Sequence, residues 1–399
     1  MTRIFKDEDI TYLAGDGTVS SRPLQPYSAV VCEFLDDLSS SLRSSKEAAA
    51  YPDVMTFAFW CRKANIAMFK AAFEDGKARL GRGVAFHITP SNVPTNFAYS
   101  FVFGLLAGNA NIVRVPSRSI AQVDVILACI KRLFDHGRHG EIRVLTAFVR
   151  YRQDDRVTGI FSAGCDARLI WGGDTSVRKI RSIPIPERSV ELVFPDRYSF
   201  CVMDAPSVVK LGEAGLGRLA GDFYNDTYLM DQNACSSPHL VVWQGSQKEE
   251  AKERFWKAVH KLASERYELK DISAIEKYAL LCRDAVELDN ISGVRMESSR
   301  LCRVAVKSLP DNTDGLRGRC GYFYEYDTDD INSMARIINA KYQTLTYFGV
   351  DKSYLGDFVL RNRCLGIDRI VPVGSALAIG PIWDGYDIVK SLSRIIDVR

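Results

Sequence analysis

A thiol in a junction of small and polar residues is the first place in this sequence where chemistry could start. Cys235 lies in Met230-Asp231-Gln232-Asn233-Ala234-Cys235-Ser236-Ser237-Pro238-His239, between an expected helix and an expected strand. Such a junction lets a thiol meet a substrate and receive hydrogen bonds from backbone N–H groups, which favours thiolate over thiol. The other nine of the ten cysteines fall in apolar helix or strand patterns or in plain loops, and read as small core or surface residues. Ser236 and Ser237 are rival nucleophiles, but neither sits in a Gly-x-Ser-x-Gly elbow. Position alone leaves a non-catalytic Cys235 open.

An acyl-transferring thiol needs a donor for the oxyanion that forms. In Phe86-His87-Ile88-Thr89-Pro90-Ser91-Asn92-Val93-Pro94-Thr95-Asn96, two prolines bracket Asn92 at the end of an expected strand. Rigid flanks can hold one side-chain amide in a fixed direction, as an oxyanion donor requires. The alternative is an ordinary Asn turn or helix cap.

Phosphate cradles compete. Gly215-Leu216-Gly217-Arg218-Leu219-Ala220 comes nearest to Gly-x-Gly-x-x-Ala, yet it lies inside a helical pattern, which is the wrong context. Gly81-Arg82-Gly83 precedes a strand and reads as a helix stop. In Leu169-Ile170-Trp171-Gly172-Gly173-Asp174-Thr175-Ser176-Val177, a strand runs into two glycines and then a polar helix start. Free N–H groups at Gly172, Gly173, Asp174 and Thr175 would face a phosphate there; a capped Gly-Gly turn is the alternative. Arg114, at the expected end of the strand Asn111–Val115, and nearby Ser117 suit a ribose or its 2′-phosphate at the edge where open α/β sheets bind ligands. Standing alone, such an arginine is simply solvated.

The elements that must position these groups alternate. Helices are expected at Tyr27–Leu42 and Met55–Phe73. Strands Val84–Ile88, Asn111–Val115, Ile142–Val149 and Arg168–Trp171 then alternate with helices Phe97–Leu106, Ile120–His136 and Thr175–Ser182. After Glu191–Val193 and Tyr198–Met203 the alternation restarts. Helices Leu211–Met230, Lys248–Arg266, Asp271–Leu288 and Ile331–Lys341 surround strands Leu240–Trp243, Leu301–Val306, Gly321–Tyr326 and Arg369–Val373. Strand–helix alternation implies parallel sheets with helical crossovers. The expected domains are 1–199, completed by 351–399, and 200–350.

At 399 residues, with 47% hydrophobic and 25% charged side chains, the chain has enough apolar material for a substantial core. Its formal net charge of +3 does not argue for a nucleic-acid or membrane surface. The N-terminus mixes both charge signs and has no apolar secretory core, and no stretch is long enough for a membrane span. Reduced thiols in a cytoplasmic protein are therefore expected, with no metal: the five histidines share no ligand spacing with the cysteines.

Taken together, the motifs resemble the aldehyde dehydrogenase superfamily, and within it the LuxC-type acyl-CoA reductases, from about Gly83 to the C-terminus. Pro90-Ser91-Asn92-Val93-Pro94 is similar to the superfamily's oxyanion stretch, and Asn233-Ala234-Cys235-Ser236-Ser237-Pro238 to the nucleophile segment of the reductases. Ala107-Gly108-Asn109 to Arg114 resembles a segment that ends in a cofactor-binding Lys, here replaced by Arg. Trp171-Gly172-Gly173-Asp174-Thr175 resembles the phosphate turn. The closing run Trp383-Asp384-Gly385-Tyr386-Asp387, followed by Leu392-Ser393-Arg394-Ile395-Ile396, is similar to the reductases. Two segments depart from the hydrolytic dehydrogenases. Val190-Glu191-Leu192-Val193-Phe194 lacks the glycines around their water-activating Glu, and Gly318-Arg319-Cys320-Gly321 does not match their nicotinamide-ribose segment. The chain is also short at its N-terminus for a LuxC-type reductase.

The resemblance implies two Rossmann-like α/β domains with a cleft between them, and NADPH-dependent reduction of an acyl thioester to an aldehyde. In that scheme Cys235 carries the acyl group, Asn92 with the Cys235 N–H holds the oxyanion, and Arg114 meets the 2′-phosphate. The donor could be acyl-CoA, an acyl carrier or an acyl-transferring partner enzyme, and a homo-oligomer is implied. An NAD(P)-dependent aldehyde dehydrogenase releasing acid, and a non-catalytic acyl-binding scaffold, are the alternatives.

Overall fold

A computed structural model describes residues 2–399. The chain divides into two compact units, the described part of Met1–Pro195 with Tyr386–Arg399, and Asp196–Gly385.

The first unit is built on strands Thr11–Ala14 (β1), Val84–Ile88 (β2), Ala110–Arg114 (β3), Thr146–Arg150 (β4), Ala167–Trp171 (β5) and Val190–Phe194 (β6). They form one six-stranded sheet in the order β1-β4-β3-β2-β5-β6, parallel except for β1. The chain leaves β2 through β3 to β4, then returns to β5 on the other side of β2. Strand order thus reverses between β2 and β5, the crevice position where doubly wound sheets bind ligands. Every residue of β2 and β5 is buried, as parallel strands covered on both faces must be.

Helices Ala29–Ser44 (α1), Pro52–Trp60 (α2), Lys63–Phe73 (α3), Asn96–Leu106 (α4), Ala121–Asp135 (α5), Asp155–Ala163 (α6) and Asp174–Arg181 (α7) accompany this sheet. The single helix expected over Met55–Phe73 is two. Asn65 Nδ2 and Arg62 Nε donate to the Phe59 carbonyl at 2.9 and 3.1 Å, and the Lys63 N–H turns instead to Asp36 Oδ1 at 3.3 Å. These side chains take the groups that a continuous helix would pair. The strand expected from Ile142 starts later, because residues Gly140–Arg143 form a helical turn. Gly81-Arg82-Gly83, expected as a helix stop, does not end a helix: the residues leading into it, Arg79–Gly81, form a short strand paired antiparallel with Ser393–Ile395. The rings of α4 belong to the core: Phe101 packs on Phe148 with centroids 4.8 Å apart, and Tyr99 on Phe57 at 5.0 Å.

The second unit holds Tyr198–Asp204 (β7), Pro238–Gln244 (β8), Ile291–Ser298 (β9), Leu301–Val306 (β10), Tyr322–Thr328 (β11), Tyr342–Phe348 (β12) and Arg369–Pro372 (β13). Their order is β9-β10-β11-β8-β7-β12-β13, parallel except for β9. Glu213–Thr227 (α8) and Lys248–Arg266 (α9) pack an aromatic-rich core, with Phe223, Phe255 and Trp256, on one face. Asp271–Glu287 (α10) packs Leu280 and Leu281 against a separate core of this unit, which includes Tyr322 and Tyr324. The segment 351–399 was expected to complete the first unit; only residues 386–399 lie there. Residues 351–385 lie in the second unit, because β13 extends the parallel ladder beyond β12. The helix expected over Ile331–Lys341 is a 3-10 helix over Ile331–Ile337, and Asp330 caps it by accepting from the Asn332 N–H at 2.9 Å. Among the described residues, no helix is long and apolar enough to cross a membrane.

Candidate active site

Cys235 is presented by a tightly held reversal between α8 and β8. Asp231 and Gln232 both adopt left-handed backbone (φ 51° and 57°), a cost of about 1–3 kcal/mol each for residues with a Cβ. The Gln232 side chain holds the reversal. Its Oε1 accepts from the Gly321 and Tyr322 N–H groups at 2.8 and 3.3 Å, and its Nε2 donates to the Tyr322 carbonyl at 3.1 Å. Tyr267 donates its hydroxyl to Asp231 Oδ1, and Ser237 donates its own to the Asp226 carbonyl at 2.7 Å. The Ser199 hydroxyl, on β7, donates to the Cys235 carbonyl at 2.7 Å. Cys235 is half-buried.

Around the sulfur stand groups from the starts of other strands. Gln343, on β12, points Nε2 at Cys235 Sγ at 3.4 Å, and the same nitrogen donates to Asp384 Oδ1. Asp384 also pairs with Arg197 Nη1 at 3.4 Å, and Arg197 is bound in turn to Asp368. Arg369 opens β13. Its guanidinium lies 4.3 Å from the Trp383 ring centroid and donates to the carbonyls of Ala376 and Ala378 at 3.0 and 2.9 Å. The buried indole N–H of Trp383 has no hydrogen-bond partner among the described residues. Burial pushes the Cys235 thiol up to about 12, and the Asp384 charge adds to this; the Gln343 N–H, Arg197 and Arg369 pull it down. Burial likewise raises the Asp384 carboxyl above the usual carboxylate range. Burial and the Asp384 charge outweigh these three donating or cationic neighbours, so the free thiol keeps its proton, against the thiolate-favouring junction expected from the sequence.

Asn92 is carried by the first unit, in the loop that follows β2. It is exposed, and the loop is tied by Arg118, whose Nη2 donates to the Ser91 carbonyl at 3.1 Å. Arg114 and Ser117 do come together: Arg114 Nη2 stands 3.5 Å from Ser117 Oγ, which donates to the Tyr151 carbonyl at 3.1 Å. The guanidinium stacks on the Tyr151 ring at 4.6 Å, and its buried Nε has no hydrogen-bond partner among the described residues. Gly172, Gly173, Asp174 and Thr175 follow β5 directly, and no side chain caps α7. The Gly172 N–H is already donated to the Phe194 carbonyl at 3.2 Å. The space where a Gly173 side chain would stand is open, with none of the described residues within 4 Å. These two groups stand at the carboxyl ends of β3 and β5, on either side of β2.

A buried polar chain fixes this edge. Trp171 Nε1 donates to Ser100 Oγ at 2.9 Å, Ser100 to His87 Nδ1 at 2.8 Å, and His87 Nε2 to Asn111 Oδ1 at 2.9 Å. Burial lowers His87 to about 4, so the imidazole is neutral, with its proton on the nitrogen facing Asn111. Gly104 is required beside it, since a Cβ there would lie 1.8 Å from Asn111 Oδ1. Trp171 also stacks on Phe194 at 3.7 Å. Glu191 is occupied elsewhere: it binds the buried Arg168, and Arg181 at 2.9 Å. A cavity of 470 Å³ lies at the opposite, carboxyl edge of the second sheet, lined by Lys252, Arg303, Glu325 and Asp327 among others. These charges neutralise one another, as Lys252 with Asp327 at 2.7 Å and Arg303 with Glu325 at 3.3 Å, and the lining holds no thiol.

Sequence reasoning missed Gln343, Arg197, Arg369 and Ser199 as neighbours of Cys235. The only signal for this group was the Trp383-Asp384-Gly385 run, which marked a segment without saying what it touched.

Comparison with known proteins bears on this arrangement. The acyl-CoA reductase (LuxC) family description matches residues 64–395. The long-chain acyl-protein thioester reductases of Photorhabdus luminescens and Photorhabdus laumondii are each 22% identical, over 324 and 325 residues, which is 79% of this chain. The chain spans 63% of the length of these curated relatives. Among solved structures, Thermus thermophilus 1-pyrroline-5-carboxylate dehydrogenase aligns with a TM-score of 0.63 at 13% identity, over 92% of this chain and 80% of its own. The NAD-dependent benzaldehyde dehydrogenase of Corynebacterium glutamicum aligns with a TM-score of 0.58 at 16% identity, over 92% of this chain and 81% of its own. The fold is that of the aldehyde dehydrogenases, and by its sequence the chain belongs to the acyl-CoA reductase (LuxC) family.

Proposed function

We propose that this chain reduces an acyl thioester to the aldehyde, with Cys235 carrying the acyl group between the two half-reactions. The observation that carries the reading is the half-buried residue Cys235 with the Gln343 amide aimed at its sulfur, in a chain of the acyl-CoA reductase family. In the first half-reaction a bond forms between Sγ and the thioester carbonyl carbon while the thiol proton leaves. The bond to the donor's sulfur then breaks, and that sulfur departs as a thiolate that takes up a proton. Asn92 and the Cys235 N–H act as the donors to the carbonyl oxygen, which carries negative charge in between. Gln343 stabilises the Cys235 thiolate both before attack and when aldehyde leaves, and Asp384 holds the Gln343 amide in place.

The residues at the first unit's carboxyl edge fit a phosphorylated dinucleotide: an uncapped helix start beside open space at Gly173, and an arginine with an orphaned Nε. Bound there, a reduced nicotinamide supplies the hydride that converts the acyl thioester to aldehyde. Gly172, Gly173, Asp174 and Thr175 would bound the pyrophosphate site, while Arg114 and Ser117 would meet a 2′-phosphate, which favours NADPH. The donor is acyl-CoA, an acyl carrier or a partner acyl-enzyme, and the reaction belongs to the cytoplasm, where thiols stay reduced.

Glu191, tied to Arg168 and Arg181, does not serve as the water-activating base that release of free acid would need. The test is NADPH oxidation over short to long acyl-CoAs, with aldehyde identified as product. Acid formed from aldehyde and NADP⁺ without CoA would replace this reading with the dehydrogenase one. Absence of thiol-dependent turnover with every donor would leave the scaffold.

A further inference from the structure

The helix α10 is apolar on two opposite sides. Its inner side is fixed. Asp284 Oδ2 accepts from the hydroxyls of Tyr322 and Tyr324, while Leu280 and Leu281 join the core. On the outer side, Ile272, Ile275, Ala279, Cys282 and Val286 recur at alternating steps of four and three, and all five are exposed, Ile272 by 59%, Ile275 by 65% and Val286 by 83%. This is the spacing of the a and d positions of a coiled coil, sustained over two heptads and left exposed by the described residues. An apolar stripe of this kind on an exposed helix marks an interaction face.

The stripe is complementary to itself when reversed. Setting Ala279 against Ala279 of a second, antiparallel copy puts Ile275 opposite Cys282 and Ile272 opposite Val286. The smallest side chain falls at the two-fold axis, where the helices would come closest. The flanking e positions are Glu276 and Arg283, and in antiparallel pairs e faces e, so each Glu276 meets the Arg283 of the other copy. Within one chain Arg283 is only loosely held, at 3.8 Å from Glu287 and 4.0 Å from Asp284, and its side chain is 58% exposed. Tyr278, 62% exposed, lies on the other flank next to the axis.

We propose that α10 docks a second copy of this chain through a two-fold, antiparallel pairing of the two helices centred on Ala279. Two heptads make a small contact, so the dimer is weak and concentration-dependent. The proposal is independent of the acyl-reductase reading, and its readouts are mass and crosslinking.

In sedimentation equilibrium the full chain is expected to pass from monomer to dimer over roughly 1–100 μM, the range of small transient interfaces. Ala279→Arg should raise the dissociation constant on the order of tenfold or more by placing two like charges at the axis. Glu276→Arg should do the same, and adding Arg283→Glu should restore dimerisation, because the swapped pair is again complementary. Under copper-phenanthroline oxidation, Ala279→Cys in a Cys282→Ser background should give a disulfide-linked dimer. Ile275→Cys should crosslink to the native Cys282 of the other copy and lose that crosslink in the Cys282→Ser background. Wild-type Cys282 should not crosslink to itself, since the two sulfurs would be offset by about 9 Å along the helices, too far for a disulfide. A chain that stays monomeric throughout overturns the proposal. So does a wild-type Cys282 disulfide, which marks parallel pairing, or a dimer indifferent to both charge variants, which marks another surface such as the open edge of β9.

Discussion

The two units offer their chemistry at opposite ends of their sheets, and by different means. In the first, the candidate ligand groups follow the carboxyl ends of β3 and β5 and rely largely on main-chain features: an uncapped helix start, two glycines and one arginine. In the second, Cys235, Ser199, Gln343 and Arg369 stand at the amino ends of β8, β7, β12 and β13, and the site is a network of side chains. A cradle built of backbone is encoded by contiguous residues. A reactive thiol needs its proton affinity adjusted by several partners, and those must come from separate strands. On the proposed function, ligand holding falls to one edge and bond making to the other, a division that substitution can break.

The largest effect belongs to the second unit. Cys235→Ala should abolish the covalent acyl adduct seen by intact-protein mass spectrometry and bring aldehyde formation to background, with nucleotide affinity within about twofold of wild type. Loss of nucleotide binding in this variant would mean that the two edges are not separate in function. Asn92→Ala should lower kcat by about 10²–10³-fold, the usual cost of one oxyanion donor, with the nucleotide KM little changed. An unchanged kcat would reduce Asn92 to a turn residue.

The thiol's surroundings predict a pH dependence. With Cys235 pushed up to about 12, the thiolate fraction of the free protein stays far from saturation across the neutral range. Its alkylation by iodoacetamide should therefore rise about tenfold per pH unit from 7 to 10 without a plateau. Asp384 raises the thiol's proton affinity, so Asp384→Asn should lower it and speed alkylation at fixed pH; Arg369→Gln should do the opposite. A plateau near pH 8 would show a thiol already activated before substrate arrives. The smallest effect is assigned to the first unit: Arg114→Ala should weaken NADPH on the order of tenfold while leaving NADH nearly unaffected, as measured by the ratio of their KM values. Equal losses for both would place Arg114 on the ribose rather than on the 2′-phosphate.

Local pattern made much of this molecule legible in the sequence. The strand that runs into Gly172-Gly173 and then a polar helix start is contiguous, and β5 and α7 occur where that pattern puts them. Helix boundaries were less legible where a side chain competes for the backbone, as Asn65 and Arg62 do at the Phe59 carbonyl. The edge strand β9 was missed altogether, because residues 292–297 are exposed and show no alternation of buried and solvent positions.

What the sequence determined by itself is therefore whatever depends on neighbours in the chain: two runs of strand–helix alternation, the glycine turn, the polar junction around Cys235, and the loop that bears Asn92. Only the tertiary structure decided what those groups touch. Nothing near Gln343, Arg369 or Ser199 in sequence marks it as a neighbour of Cys235, since parallel pairing of β7, β8, β12 and β13 is what gathers their starts. Likewise Glu191, a carboxylate in a suggestive stretch, is consumed by Arg168 and Arg181, which only the folded sheet and helix α7 bring to it. Periodicity reports which face of an element is buried; the identity of the facing residue is set by strand order and register, which no local window contains.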